Sequence, residues 1–256
     1  MIIIIKLGGS IITDKDNPFT LRYNIVNNIA KDIHRFIDKT LKSIVIVLGG
    51  GSFGHYMVSK YVKEKGFIDI ECASITANIM NKLALMVADI FFQNNLHAIV
   101  FNSHAIFQYV NQELTCSGIE LIKEYLRKGI IPILYGDVML HEKEFKVLSG
   151  DEISWFLAHK LNAEKLIFVT NVDGIYDKPP DNPNAKFLPI ISLSRSLDRI
   201  HAETKEHDVT GGILEKLRIG LKYHKGFEVL IINGMKKENL YKALIGEEVK
   251  ATRIIP

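Results

Sequence analysis

The sequence predicts an α/β fold: a three-layer sandwich in which an open, mostly parallel sheet carries helices on both faces. Three observations predict it. Runs of apolar, largely β-branched residues alternate with helical stretches along the whole chain. The first two of these runs each end in a cluster of glycines, Gly8-Gly9 and Gly49-Gly50-Gly51. The chain is also long enough for one large core, with 256 residues of which 47% are hydrophobic and 24% charged.

The elements come in this order. Residues 2–6, four isoleucines and Lys6, read as a fully buried strand. Lys6 breaks this run too early for a signal peptide or a membrane span, and no basic segment precedes it. A helix is expected near 20–39, a strand at 44–48, helices near 52–65 and 72–94, and a strand at 97–101. After a helix near 118–128 and a strand at 130–135, the stretch from Asp137 to Ser149 breaks the rhythm. Its two short runs meet at Glu142-Lys143-Glu144, the signature of a hairpin. A helix near 151–161 and a strand at 165–170 come next, followed by a loop at 177–187 with three prolines among Asp and Asn. The chain closes with a helix near 211–224, a strand at 227–232 and a helix near 236–244. With no linker or repeat, residues 1–256 read as a single domain.

A formal charge of +3 makes no case for nucleic acid, so cations that bind anions must be placed locally. Cys72 and Cys116 lie far apart without metal-ligand neighbours, which suits reduced, packed thiols in a cytoplasmic protein. Neither a membrane partner nor a metal held by protein ligands is expected.

The chemistry-bearing residues sit where strands end or helices begin, the crevice edge of an open α/β sheet. Lys6 closes a buried strand and is followed by Gly8, Gly9 and Ser10. Burying an ammonium is costly unless it meets an anion, and the glycines let backbone N–H groups approach phosphate oxygens. Gly49, Gly51 and Gly54 form a G-x-G-x-x-G between a strand and a helix, with Asp69 or Glu71 at the distance of a ribose-binding acid. On that reading the protein is an NAD(P)-binding oxidoreductase. It leaves Lys6, the Asp173 loop and Lys216 without a role, because a dinucleotide fold carries its glycines on the first βα turn and needs no lysine there. His55 is placed to donate to an anionic oxygen near a helix N-terminus, or simply to face water. Asp151 follows Gly150 at a helix start and reads as a cap or as a site acid. Asp173-Gly174 with Tyr176 beside it is a turn or a loop for base and ribose. Gly212 and Lys216 lie four apart on a helix, so that lysine and helix N-terminus face one ligand. There is one set of glycine loops in each half of the chain, which suggests two bound groups meeting over one sheet.

Taken in order, K-x-G-G-S, G-G-G, S-G-D, V-D-G-I-Y and T-G-G-I-x-x-K resemble the amino acid kinase superfamily over nearly the whole chain. Within it, Gly49-Gly50-Gly51-Ser52-Phe53-Gly54-His55, Ile12-Thr13-Asp14-Lys15 and Tyr135-Gly136-Asp137-Val138 resemble the isopentenyl phosphate kinases, a family typical of archaea. The resemblance implies phosphorylation of isopentenyl phosphate by ATP, in an alternative mevalonate route to isoprenoids. Mg²⁺ would travel on the ATP phosphates, and the protein would be a homodimer. It assigns Lys6, Gly8, Gly9, Ser10 and Gly51 to the ATP phosphates. Thr170, Asp173, Gly174, Tyr176, Gly212 and Lys216 fall on the nucleotide side, with Asp151 orienting the lysines. Gly50, His55 and Gly150 fall on the substrate phosphate, assisted by Lys15. The half at about 1–148 thereby becomes the acceptor side and that at about 149–256 the nucleotide side. Where the family pattern has Val-His-Gly-Gly-Gly, this chain has Leu48 before the glycines, which removes a polar group near the loop. The hydrocarbon tail needs an apolar wall; Ala73 to Phe92 is a candidate, although most of its apolar positions read as core. The alternatives are another kinase of the superfamily (for UMP, an amino acid or fosfomycin), the oxidoreductase, and a regulatory module that only senses nucleotide.

Overall fold

A computed structural model describes residues 1–194 and 211–256. Thr210, which opens the T-G-G-I motif, lies outside the described residues, as do the surroundings of Gly212. The central sheet has eight strands. In spatial order they are β12 (Ile190–Ser192), β14 (Ala251–Ile255), β13 (Glu228–Asn233), β9 (Lys165–Thr170), β1 (Ile2–Leu7), β2 (Ser43–Leu48), β6 (Ile131–Tyr135) and β3 (Ala98–Val100). All neighbours are parallel except β13 and β14. The expected architecture is present, with one edge reversed.

Alternation along β1 divides the interior in two. Ile3, Ile5 and Leu7 enter a core with residues of α2 (Tyr23–Ile37) and α4 (Ile70–Gln93), whereas Ile4 enters the opposite core with α7 (Gly150–Lys160). Helices therefore cover both faces. Lys6 shares Ile4's face, so the same period of two that buries the isoleucines aims this lysine at α7. Its register partner on β9 is Phe168.

α4 is long and apolar enough to cross a membrane by length and composition. Here Met80, Leu83, Val87 and Phe91 turn one side of it onto the sheet, as in a core helix. Asp69 is the N-cap of this helix, accepting from the Cys72 N–H at 2.8 Å, and its carboxylate also holds Lys65 at 2.6 Å. That engagement removes it as a ribose acid.

The hairpin at Asp137–Ser149 is present as β7 (Asp137–His141) and β8 (Glu144–Leu148). A second hairpin, β4 (Phe107–Val110) with β5 (Glu113–Cys116), and the strands β12, at the sheet edge, and β14, beside it, are additions to the sequence-based expectation.

Candidate active site

Because β9, β1, β2 and β6 are parallel and in register, their carboxyl ends finish side by side. The ladder runs one residue further in each loop. Gly8 N–H donates to Val169 at 2.9 Å, Gly49 N–H to Leu7 at 2.9 Å, and Gly136 N–H to Leu48 at 3.0 Å. The loops are packed so closely that side chains have no room between them. A Cβ on Gly9 would lie 2.1 Å from the Gly51 nitrogen, and one on Gly150 would lie 2.7 Å from the Leu48 carbonyl oxygen. Gly51 also takes φ +47°, a conformation that favours glycine. Thr13 clips the two phosphate-type loops together. Its hydroxyl donates to Gly9 O at 2.7 Å and accepts from Ser52 N–H at 2.9 Å. Sequence reasoning met Thr13 only as part of a motif and gave it no role.

Three charged groups meet above these loops. Lys6 Nζ is 2.8 Å from Asp151 Oδ1, and Lys216 Nζ is 2.6 Å from Asp151 Oδ2. Asp151 comes from α7, and Lys216 from α8 (Gly211–Tyr223). Ser149, not Asp151, caps α7, its hydroxyl accepting from Glu152 N–H at 3.1 Å. Asp151 is thereby left for the lysines. The Lys216 ammonium also rests over the Phe168 ring, 4.1 Å from its centroid. Burial pulls the Lys216 pKa down to about 8; Asp151 opposes this and Lys6 reinforces it. Burial acts to raise the Asp151 pKa, but Lys216 and then Lys6 outweigh it and hold the carboxyl well below its usual range. α3 (Gly51–Lys65) and α7 both begin here and add positive potential to the two ammoniums. This is a site made for phosphate oxygens.

A cavity of about 240 Å³ opens beside the lysines. Its lining joins Lys6, His55 and the loop residues Gly49, Gly50 and Gly150 to the apolar Val58, Val138, Val147 and Ile219, with the carboxylates Asp137, Asp151 and Glu215 also at its border. The expected wall from Ala73 to Phe92 is corrected: only Thr76 of that stretch lines the cavity, because the helix spends its apolar side on the sheet. His55 faces the opening on α3. Loss of water around the ring, and then the neighbouring Lys6, lower its pKa below the ordinary histidine value. Leu48 is fully buried in the core, so the departure from the family pattern changes packing beneath the loop.

The remaining candidates divide. Ser10 follows the Gly8-Gly9 loop, its hydroxyl donating to Asn171 Oδ1 at 3.2 Å across the β1–β9 boundary. Asp173 is held by Lys236 at 2.7 Å, by Lys250 at 3.1 Å and by Asn233 at 3.0 Å. Burial works against its ionisation, but these partners bring its pKa to about 2. Thr170 spends its hydroxyl on the Val172 and Ile232 carbonyls, which shapes the loop from within. Gly174 has φ +153°, and a Cβ there would lie 2.4 Å from Thr252 Oγ1. Tyr176 packs edge-on against Phe187. Lys15 is exposed and is not among the cavity's lining residues. Gly212 occupies the second position of α8.

Glycine loops at the ends of parallel strands, with two lysines sharing one carboxylate above them, define a phosphotransferase that handles its substrates through their phosphates. The sequence matches the amino acid kinase family over residues 1–233. It is 35% identical to the isopentenyl phosphate kinase of Methanothermobacter thermautotrophicus, over 98% of both chains. It is 31% identical to that of Methanocaldococcus jannaschii, over 99% of this chain and 98% of the relative. A solved X-ray structure of an isopentenyl phosphate kinase superposes with a TM-score of 0.81 at 31% identity, covering 99% of this chain and all of the other. The chain belongs to the amino acid kinase family and, within it, to the isopentenyl phosphate kinases.

Proposed function

We propose that this protein transfers the γ-phosphoryl group of ATP to isopentenyl phosphate, giving isopentenyl diphosphate. The observation that carries the proposal is the cavity, whose lining joins Lys6, His55 and the glycine loops to the apolar Val58, Val138, Val147 and Ile219, the combination that a phosphorylated hydrocarbon requires. The acceptor is a phosphate monoester, ionised and nucleophilic near neutral pH, so no strong base is needed. Asp151 is unsuited to be one, since both its oxygens face ammoniums. It positions the lysines. Catalysis then rests on alignment and neutralisation. Lys6, Gly8, Gly9, Ser10 and Gly51 hold the ATP phosphates, with Lys216 on the moving phosphoryl group. Gly50, His55 and Gly150 hold the acceptor phosphate, with Lys15 assisting. Thr170, Asp173, Gly174, Tyr176 and Gly212 form the nucleotide side.

Mg²⁺ supplies charge neutralisation when bound and is carried by the ATP phosphates. The engaged carboxylates suit that arrangement, Asp151 and Asp173 each being held by two lysines and Asp137 by His104. The protein acts as a cytoplasmic homodimer. The half at about 1–148 forms the acceptor side and lends Lys6, Gly8, Gly9, Ser10 and Gly51 to the ATP phosphates, and that at about 149–256 forms the nucleotide side and lends Gly150 to the acceptor.

Assay of ATP consumption with isopentenyl phosphate, dimethylallyl phosphate, UMP, fosfomycin, acetylglutamate and glutamate tests the substrate. Turnover confined to UMP or to a carboxylate would replace the proposal with another kinase activity. Calorimetric titration is expected to show binding of ATP with Mg²⁺ and none of NAD or NADP. Tight NAD binding without ATP binding would restore the dinucleotide reading of Gly49, Gly51 and Gly54.

A third expectation concerns protons. With its pKa at about 8, Lys216 is near half-protonated at pH 8 in the free enzyme. An anionic ligand favours the charged form, so its pKa rises on ATP binding. Binding at pH 8 therefore takes up about half a proton, an uptake that fades toward pH 6.5, where Lys216 is already charged. Titrations in buffers of differing ionisation enthalpy measure it. Persistence of the uptake in Lys216→Met would assign it to another group.

A further inference from the structure

We infer that His104 is a positioning residue for the acceptor side of the site, holding Asp137 and thereby the hairpin that forms the cavity wall. The inference rests on the acceptor reading proposed above. Three consecutive residues at the start of α5 (Ser103–Ile106) grip the end of β6 and the beginning of β7. Asn102 Oδ1 accepts from the Tyr135 hydroxyl at 3.0 Å. The buried Ser103 hydroxyl donates to the Tyr135 carbonyl at 2.5 Å and accepts from its N–H at 3.2 Å. His104 Nδ1 lies 2.7 Å from Asp137 Oδ2.

The Asp137 side chain is wholly buried, and its other oxygen accepts from the Val138 N–H at 2.8 Å. His104 is thus the side-chain partner of a buried carboxylate that borders the cavity. A buried carboxylate without such a partner is costly, so the pair fixes where β7 leaves the sheet. The place of that exit governs the cavity wall. Val138 and Val147 of the hairpin line the cavity. Gly136, one residue before Asp137, is wedged so closely that a Cβ would lie 2.8 Å from the Gly150 nitrogen. A shift of the exit therefore moves the tail wall and the Ser149-Gly150 loop together. Lys6, Gly9 and the Asp173 loop are held by other contacts.

His104→Ala is expected to raise the KM for isopentenyl phosphate about tenfold, the loss of one hydrogen bond to a charged group, while the KM for ATP stays within about twofold. His104→Asn, which returns a donor at the position of Nδ1, restores most of the difference. Asp137→Asn, which keeps the shape and removes the charge, gives a second variant should His104→Ala fold poorly. In the free protein, amide exchange of residues 137–148 is expected to accelerate in His104→Ala relative to β1 and β9. A structural role alone would raise both KM values or neither. Unchanged exchange in the hairpin, or equal effects on the two substrates, would overturn the inference. If the wild type fails to phosphorylate isopentenyl phosphate, the substrate proposal falls, and the exchange measurement still decides the role of His104.

Discussion

Lys216→Met is expected to lower kcat by about 10²–10³ while the protein remains folded, the loss typical of one fixed charge-stabilising donor at a reacting centre. The side chain is 8% exposed, and its stem is already enclosed, so methionine occupies nearly the same space. Asp151 keeps Lys6 as a partner at 2.8 Å, which limits the cost to the fold. Lys6→Met is expected to fall in the same range, because the two ammoniums stand on opposite oxygens of one carboxylate. Steady-state kinetics with a thermal melt for each variant check both statements. Near-normal turnover in either would remove that lysine from the mechanism.

His55→Ala is expected to cost about ten- to a hundredfold in binding or transfer of isopentenyl phosphate, with a much smaller effect on ATP. A hydrogen bond to a charged group contributes roughly 1.5–3 kcal/mol. Desolvation and Lys6 lower the ring's pKa, so in the free enzyme the neutral form is favoured and a single N–H is the donor. The incoming anion favours the protonated ring and shifts the balance back. His55→Gln retains a donor without charge. Recovery in that variant assigns the effect to the hydrogen bond, and failure to recover assigns it to the positive charge. Kinetics of both variants across the histidine titration range separate these outcomes. Wild-type behaviour in both would reduce His55 to an ordinary residue at the start of α3.

The parts of this protein that were legible from sequence are those with local signatures. The isoleucine run of β1, the glycines that come after β1 and β2, and the Glu142-Lys143 hairpin tip each announce themselves within a few residues. The β4–β5 hairpin did not, because its tip takes positive φ at Asn111 and Gln112 without a glycine to mark it. The short edge strand β12 and its neighbour β14 are defined by their pairing, Ile191 with Ile254 and Ile254 with Val229 of β13 for example, more than by their own composition. In the site, Lys6 was visible because a lysine closing a buried strand is unusual in itself. That Asp151 serves Lys6 and Lys216 at once depends on α7 and α8 lying on the same face of the sheet, which no spacing encodes. The clip made by Thr13 and the pair of His104 with Asp137 are likewise tertiary facts. The tail wall was misplaced for a related reason: apolar composition in α4 shows that a face is buried, and says nothing about what covers it.

The position of β1 has a consequence for the order of assembly on the ribosome. This strand is synthesised before both of its neighbours, and it ends up in the interior of the sheet, between β2 and β9. Ile3 pairs with Ile44 on one side and Lys165 on the other. At roughly 5–20 residues per second, one edge of an almost purely apolar strand waits on the order of ten seconds or more for its second neighbour. Throughout that interval the nascent chain presents an unpaired, sticky edge to other chains. Arrest of translation between β2 and β9 therefore prolongs the exposure of this edge to aggregation and chaperone capture.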